Sequence, residues 1–521
     1  MAKLVQAAPI SGTRWRSDVL ALARLRPYVR SAAVPVAILL LALLLRVYRL
    51  ELQAWTPDTY EQLDAGRRLA AGQLPTSGFY PPGIAFTLAP AFLFFPQTLA
   101  TQQGVIIGSA LVLIVVVYFA ARRATNDRFA PVLLALGVAA VPQMVFLSRD
   151  GRFDVTNAAW IASAILVVPC LRGRSVAVFA AYGCMLAVAM NVRAVNPAFL
   201  PALVIYWADA GRAGIGRRAI STALICRPVA VAIAAMLASL ALLAYLGGLV
   251  GHAAAHAPIT FEYAGRNITT YALAEFGGIL CAPLMLILAP LGGVYLWSRN
   301  RSLLFVSIYM LTIFPLAHVP LPFATGRYML PSLVFALLLA AHAPAAVIGM
   351  TARQPALVRN TWRGLTAAVV LLIGANFVVV DAATLWNSPD VASRSDEAGY
   401  RQLRPSIAAL PSGALLVSGG TRGVRDSNGR IEYLDLIDYS LATDNGPDRV
   451  NEIMQRIQRA LDGGRPVYYL YTSVEGINIT FATRGPGYQP YFDAASQRFH
   501  LTPVRETSLK FFTLYRVERP R

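Results

Sequence analysis

Asp58 stands in the segment 55–83, soon after the first long apolar run, and Asp154 closes Ser148-Arg149-Asp150-Gly151-Arg152-Phe153-Asp154, just before another such run. A carboxylate at such a boundary can act as general base toward a hydroxyl, or as a cation ligand; either Asp can equally cap the helix that it precedes. Arginines occupy comparable places. Arg149 and Arg152 lie beside Asp154, Arg193 in Asn191-Val192-Arg193-Ala194-Val195-Asn196-Pro197, and Arg327 before Tyr328 in Gly326-Arg327-Tyr328-Met329-Leu330-Pro331. A guanidinium at headgroup level can fork onto a phosphate, with a neighbouring Tyr as interfacial anchor; the plainer role is snorkelling toward the headgroups. His318 lies shortly before Arg327, and Tyr80 opens the helix-breaking run Tyr80-Pro81-Pro82-Gly83.

The elements that carry these residues are membrane spans. The 521 residues are 56% hydrophobic and 14% charged, with a mean hydropathy of +0.53, whereas soluble domains carry about 25% charge. Eleven stretches suit crossing helices, near 32–50, 104–121, 129–147, 155–171, 175–190, 197–210, 228–250, 276–297, 302–322, 328–350 and 364–386. They delimit a basic N-terminal segment (1–31), a membrane domain (32–387) and a tail (388–521). The membrane half with its leader holds 29 basic and 12 acidic residues, the tail 17 and 15, so the tail alone has soluble composition. The net charge of +19 sits mostly in short loops between apolar runs, which speaks for orientation in the bilayer and against nucleic-acid binding. All four cysteines fall inside apolar runs, which excludes a disulfide scaffold.

Sidedness turns on residues 84–96, an apolar run too short to cross. Read as an interfacial or re-entrant helix, it leaves 20 basic residues on the side of the N-terminus and seven opposite, as the positive-inside rule requires. The first outer loop (51–103) then carries juxtamembrane helices, one of them from Asp58 to Ala71. Nine of the twelve acidic residues, Asp58 and Asp154 among them, share the outer face with the tail.

An apolar first span, an early Asp in the outer loop, a helix ending in glycine, a Tyr-Pro-Pro motif, an acidic motif at Asp150–Asp154, a basic residue before a proline-started span and Arg327-Tyr328-x-x-Pro331 occur here in one order. That order resembles the polytopic GT-C glycosyltransferases, in particular the branch of protein O-mannosyltransferases and lipid A aminoarabinose transferases. Thr59 follows Asp58, so the Asp-Glu pair of the protein O-mannosyltransferases is missing. The resemblance implies transfer of a sugar, with inversion, from a polyprenyl-phosphate donor to an acceptor hydroxyl outside the cytoplasm, in a bacterial inner membrane. In that reading Asp58 is the base, Asp154 positions acceptor or cation, and Arg327, Tyr328, Arg193, Arg149, Arg152, Tyr80 and His318 serve substrate. The acceptor is a lipid, glycan or protein. No cofactor is required, although a divalent cation is compatible with the carboxylates; His252, His256 and Glu262 share a long outer loop with a spacing compatible with a metal site, but two His and one Glu on a loop do not require one. The alternative is a transporter or lipid flippase with an outer accessory domain, which would place ionisable groups at mid-bilayer.

In the tail, residues 414–418 and 467–471 read as buried strands, with helical spacing at 433–441 and 450–461 and a third strand near 511–517. This predicts a small α/β domain with a parallel core. Gly419-Gly420-Thr421-Arg422-Gly423 lacks a phosphate-loop signature.

Overall fold

The computed structural model describes residues 33–50, 57–73, 81–125, 127–171, 174–193, 195–212, 230–241, 265, 281–319, 326–393, 396–419, 424, 430–436, 447–472, 489–506 and 512–520. Tyr80, His252, His256, Glu262 and the segment 1–31 lie outside them, as does the side chain of Asp58. Each predicted span coincides, at least in part, with a helix or helix pair.

The chain enters through α1 (Ala33–Val47), whose exposed Leu40 and Leu44 suit lipid contact. Next come α2 (Pro57–Ala70), α3 (Gly83–Phe92) and α4 (Leu99–Ala124), the last capped by the Thr98 hydroxyl. Helices α5 (Ala130–Ala140) and α6 (Pro142–Arg149) form one span bent by 46° where Pro142 starts α6. Carbonyls freed at a break inside a membrane need donors. The fully buried Arg46 of α1 supplies them, reaching the carbonyls of Ala139 at 2.9 Å and Val138 at 3.5 Å.

Further along are α7 (Asp154–Leu166), α8 (Val168–Leu171), α9 (Val176–Met190), α10 (Leu200–Arg212), α11 (Ala230–Ala241), α12 (Cys281–Arg299) and α13 (Arg301–Leu316). Then come α14 (Leu330–Ala341), α15 (Ala343–Thr351) and the long α16 (Ala356–Ser393). Every residue of α14 is buried, as a helix apolar on all sides demands; its one polar residue, Ser332, donates to the Met310 carbonyl at 2.6 Å, and the helix is the centre of the bundle. Helix α12 crosses it closely at Gly292, where a Cβ would fall 1.8 Å from the Leu339 carbonyl oxygen. Among the described residues, Leu99–Ala124, Arg327–Thr351 and Ala356–Pro389 are each long and apolar enough to cross a membrane, and the bent α5–α6 pair qualifies as one more span.

Helix α3 has ten residues, about 15 Å of rise against a hydrocarbon core of about 30 Å. Its first amide donates to the carbonyl of Asn191, just past α9, at 3.0 Å. Beyond its other end, the Gln97 carbonyl accepts from Arg67 of α2 at 2.6 and 2.9 Å. Both ends of α3 are thus tied to the layer that holds α2, which fits a segment that lies along the boundary and turns back.

The tail begins with α17 (Asp396–Ala408) and continues through β1 (Leu415–Ser418), β2 (Glu432–Asp435), α18 (Pro447–Asp462), β3 (Val467–Thr472), α19 (Gln489–Arg498), β4 (His500–Glu506) and β5 (Phe512–Glu518). The five strands run in the order β2-β1-β3-β5-β4, parallel across β2-β1-β3 and antiparallel across β3-β5-β4. The period of two divides the faces. Leu416, Tyr468, Leu470, Phe512 and Leu514 join a core that runs through Tyr400 and Leu403 of α17 to Tyr60 and Leu63 of α2. Leu415, Val417, Val467, Tyr469 and Val517 pack against α18 and α19. The tail therefore stands on the same side as α2.

Two readings of the tail need correction. The helix expected at 433–441 begins instead as β2, because the short apolar spacing at Tyr433 and Leu434 suits a strand paired with β1 as well as a helix. Strand β4 was not predicted; Pro503 breaks its pattern, yet edge position and a bulge between Pro503 and Arg505 accommodate it.

Gly83 meets the Asn191 backbone so closely that a Cβ would lie 2.5 Å from the carbonyl carbon. Gly83→Ala is expected to cost about 1–3 kcal/mol by overpacking, read as a lower unfolding temperature of detergent-purified protein.

Candidate active site

Asp154 is the first residue of α7 and is 1% exposed, at a helix end whose dipole favours a carboxylate. Its Oδ1 accepts from Nη2 of Arg193, and its Oδ2 lies 3.9 Å from Nη1 of Arg327. Arg193 comes from the turn after α9, Arg327 from the 3-10 turn Gly326–Met329 that leads into α14. Three chain segments that start or finish apolar helices therefore meet at one buried carboxylate. The Tyr328 ring stacks beneath both cations, its centroid 4.2 Å from the Arg193 guanidinium carbon and 5.5 Å from that of Arg327. His318 is buried with its ring 6.0 Å from that of Tyr328, and its Nδ1 lies 3.1 Å from the Phe314 carbonyl.

Asparagines fix this meeting. Asn196 donates through Nδ2 to Asn157 Oδ1 at 2.7 Å and to the Ala189 carbonyl at 2.6 Å. That ties the turn carrying Arg193 to α7 one turn after Asp154. Neither amide was singled out in the sequence, although an Asn before Pro197 and another inside an apolar span were visible signals.

Arg149 has a different position from the one expected of a substrate ligand. It is 2% exposed, and its guanidinium donates to the carbonyls of Leu45 (3.1 Å), Arg46 (3.2 Å), Tyr48 (2.8 Å) and Arg49 (2.9 Å). These are the carbonyls at and just past the end of α1, so Arg149 is a helix cap. Arg152 pairs with Asp150, which also accepts from the Arg152 amide at 2.9 Å, making a tight turn before Asp154.

That turn also receives α2. Gln102 of α4 donates to the carbonyls of Thr59 (3.1 Å) and Gly151 (2.8 Å), and Gln103 donates to that of Arg149. Gly151 has φ +79°, a conformation that a side chain would strain, and a Cβ there would approach Thr59 to 3.1 Å. Asp58 lies in the first turn of α2, next to Thr59. The backbone that carries the predicted base is thereby held against the turn that leads to Asp154.

Among the described residues, no group of three or more His, Cys, Asp or Glu could hold a metal ion. Of the carboxylates considered for a divalent cation, Asp154 has one oxygen committed to Arg193. The arrangement suits an anion: two guanidiniums oriented by a carboxylate and an aromatic face, beside a helix start carrying another carboxylate.

No family model matches the sequence, and no curated protein is significantly similar to it. Solved structures are similar. ArnT from Cupriavidus metallidurans bound to undecaprenyl phosphate superposes with a TM-score of 0.60 at 16% identity, covering 94% of this chain and 98% of the other. The apo state of ArnT gives 0.62 at 15% identity over the same shares. An Archaeoglobus fulgidus oligosaccharyltransferase in complex with Zn and sulfate gives 0.53 at 11% identity, covering 93% of this chain and 73% of the other. The chain thus has the polytopic fold of the GT-C enzymes, with a sheet-containing C-terminal domain.

Replacing the Arg149 cap leaves four carbonyls without their shared donor. Arg149→Gln is expected to lower stability by about 3 kcal/mol, measured as a shift in thermal unfolding in detergent, with Arg152→Gln much milder.

Proposed function

We propose that this protein is an integral membrane glycosyltransferase that moves a sugar from a polyprenyl-phosphate donor to an acceptor hydroxyl, on the face of the membrane outside the cytoplasm, where the C-terminal domain also lies. The observation that carries the reading is the convergence of Arg193 and Arg327 on Asp154 above the Tyr328 ring, next to the turn that docks the start of α2. The GT-C fold, seen in ArnT with undecaprenyl phosphate bound, supports the same donor class.

In the reaction the Asp58 carboxylate accepts the proton of the acceptor hydroxyl as its oxygen attacks the anomeric carbon. The bond from that carbon to the phosphate oxygen breaks on the opposite side, so the anomeric configuration inverts. The donor is a phosphodiester and leaves as a monoester, which gains negative charge during the step. Groups that meet charge as it develops lower the barrier, and Arg193 and Arg327 are the groups for this role. Asp154 then orients the arginines and does not compete for the proton. Arg152, Tyr80 and His318 border this reading without a step of their own. A bacterial inner membrane suits the undecaprenyl chain of the ArnT ligand.

The decisive assay incubates purified protein with a panel of undecaprenyl-phosphate-linked hexoses and pentoses and measures release of undecaprenyl phosphate. Release should depend on Asp58: Asp58→Asn is expected to lower it by at least about a hundredfold, the lower range for a general base, while the protein still inserts and unfolds at the wild-type temperature. Full activity in that variant would discard Asp58 as base. Arg193→Ala and Arg327→Ala are each expected to weaken undecaprenyl phosphate binding about tenfold, or about 1.4 kcal/mol, in a titration at fixed salt; unchanged affinity in both would remove the phosphate role.

A further inference from the structure

The first turn of α2 is gripped from a second direction. Tyr60, two residues after Asp58, is buried and donates its phenol to Oε2 of Glu397 at 2.5 Å. Glu397 belongs to α17, the first element of the C-terminal domain, and is 2% exposed. A carboxylate so buried requires partners. Arg404 meets it with both guanidinium nitrogens, at 2.8 and 2.9 Å, and Arg401 approaches at 3.3 Å. Burial first, and then the Glu397 charge, push the Tyr60 phenol well above its ordinary range, so it remains a proton donor.

Aromatic packing reinforces the contact. Tyr60 meets Tyr400 edge-on at 5.3 Å, and Tyr400 meets Phe512 of β5 at 5.0 Å. Gly399 lets Phe512 in, since a Cβ there would lie 2.3 Å from the ring. On the membrane side, Gln102 holds the Thr59 carbonyl. Consecutive residues of one helical turn, Thr59 and Tyr60, are thus held by different domains.

We infer that Glu397 is a positioning residue: through Tyr60 it fixes the first turn of α2, so that the C-terminal domain sets where the Asp58 backbone stands relative to the Arg193–Arg327 pair. The inference rests on the reading of Asp58 as base. A buried ion group of this kind is poorly suited to adding stability, because desolvation offsets much of the attraction; its directional phenol bond is suited to registering one helix against another. Transfer would then require a docked C-terminal domain even for an acceptor too small to touch it.

The test compares wild-type full-length protein with Tyr60→Phe and Glu397→Gln, both nearly isosteric. Amide exchange over 57–66 should rise about tenfold, the loss of one buried charge-assisted hydrogen bond, with exchange in α4 unchanged. On the donor of the panel that wild type uses, kcat should fall about tenfold while donor KM stays within twofold. The double variant should be no slower than the slower single variant, because the Tyr60–Glu397 contact is common to both while Glu397→Gln also weakens the Arg404 pair. Unchanged exchange over 57–66, a kcat within twofold of wild type, or exchange rising equally in α4 would each overturn the inference. If wild type releases undecaprenyl phosphate from no donor, the transferase reading fails by itself, and the exchange data still decide the clamp.

Discussion

At the boundary between the membrane domain and its outer layer sits a buried guanidinium on which the following turn depends. Arg149 gathers the last carbonyls of α1 and, through its own carbonyl, accepts from Gln103 of α4. The residues that follow it are then obliged to turn: Asp150 closes on Arg152, Gly151 takes the left-handed conformation, and Asp154 begins α7. Inside a bilayer, carbonyls at a helix end find no water, so a fixed donor there is worth more than a flexible loop. Arg46 performs a similar service at the α5–α6 break. Arg46 and Arg149 thus complete the backbone, whereas Arg193 and Arg327 surround a carboxylate, and only burial and partner type tell these two pairs apart.

That division explains what was legible in the sequence. The spans, the short boundary helix after the Tyr-Pro-Pro motif and the mixed α/β tail follow from hydrophobic length and period, which are local properties. Arg193, Arg327, Tyr328 and Asp154 were legible as a set because each stands beside the start of an apolar run. Arg149 looked the same by that criterion, and its role as a cap became visible only with α1 packed against it. The pairs Asn157–Asn196 and Tyr60–Glu397 were not legible, since the second joins residues 337 positions apart. The β2 segment failed for another reason: four residues with two apolar positions carry too little periodicity to choose between helix and strand.

Asp154, read in the sequence as positioning an acceptor or a cation, stands at a helix start. There it is buried and shared by two cations. Its charge is already used in holding them, and the cations in turn are held over an aromatic face that favours positive charge. An anion arriving there would find donors already oriented, with little reorganisation left to make.

Strand β5 comes last in chain order among the described strands, yet it lies inside the sheet between β3 and β4, and its Phe512 reaches the ring of Tyr400 that rests on Tyr60. During synthesis the membrane helices emerge long before it. The sheet cannot close, nor can the aromatic column under α2 be completed, until that late segment has been made and docked. A chain clipped before β5 would therefore leave the helices of the bundle without the aromatic column that packs against α2.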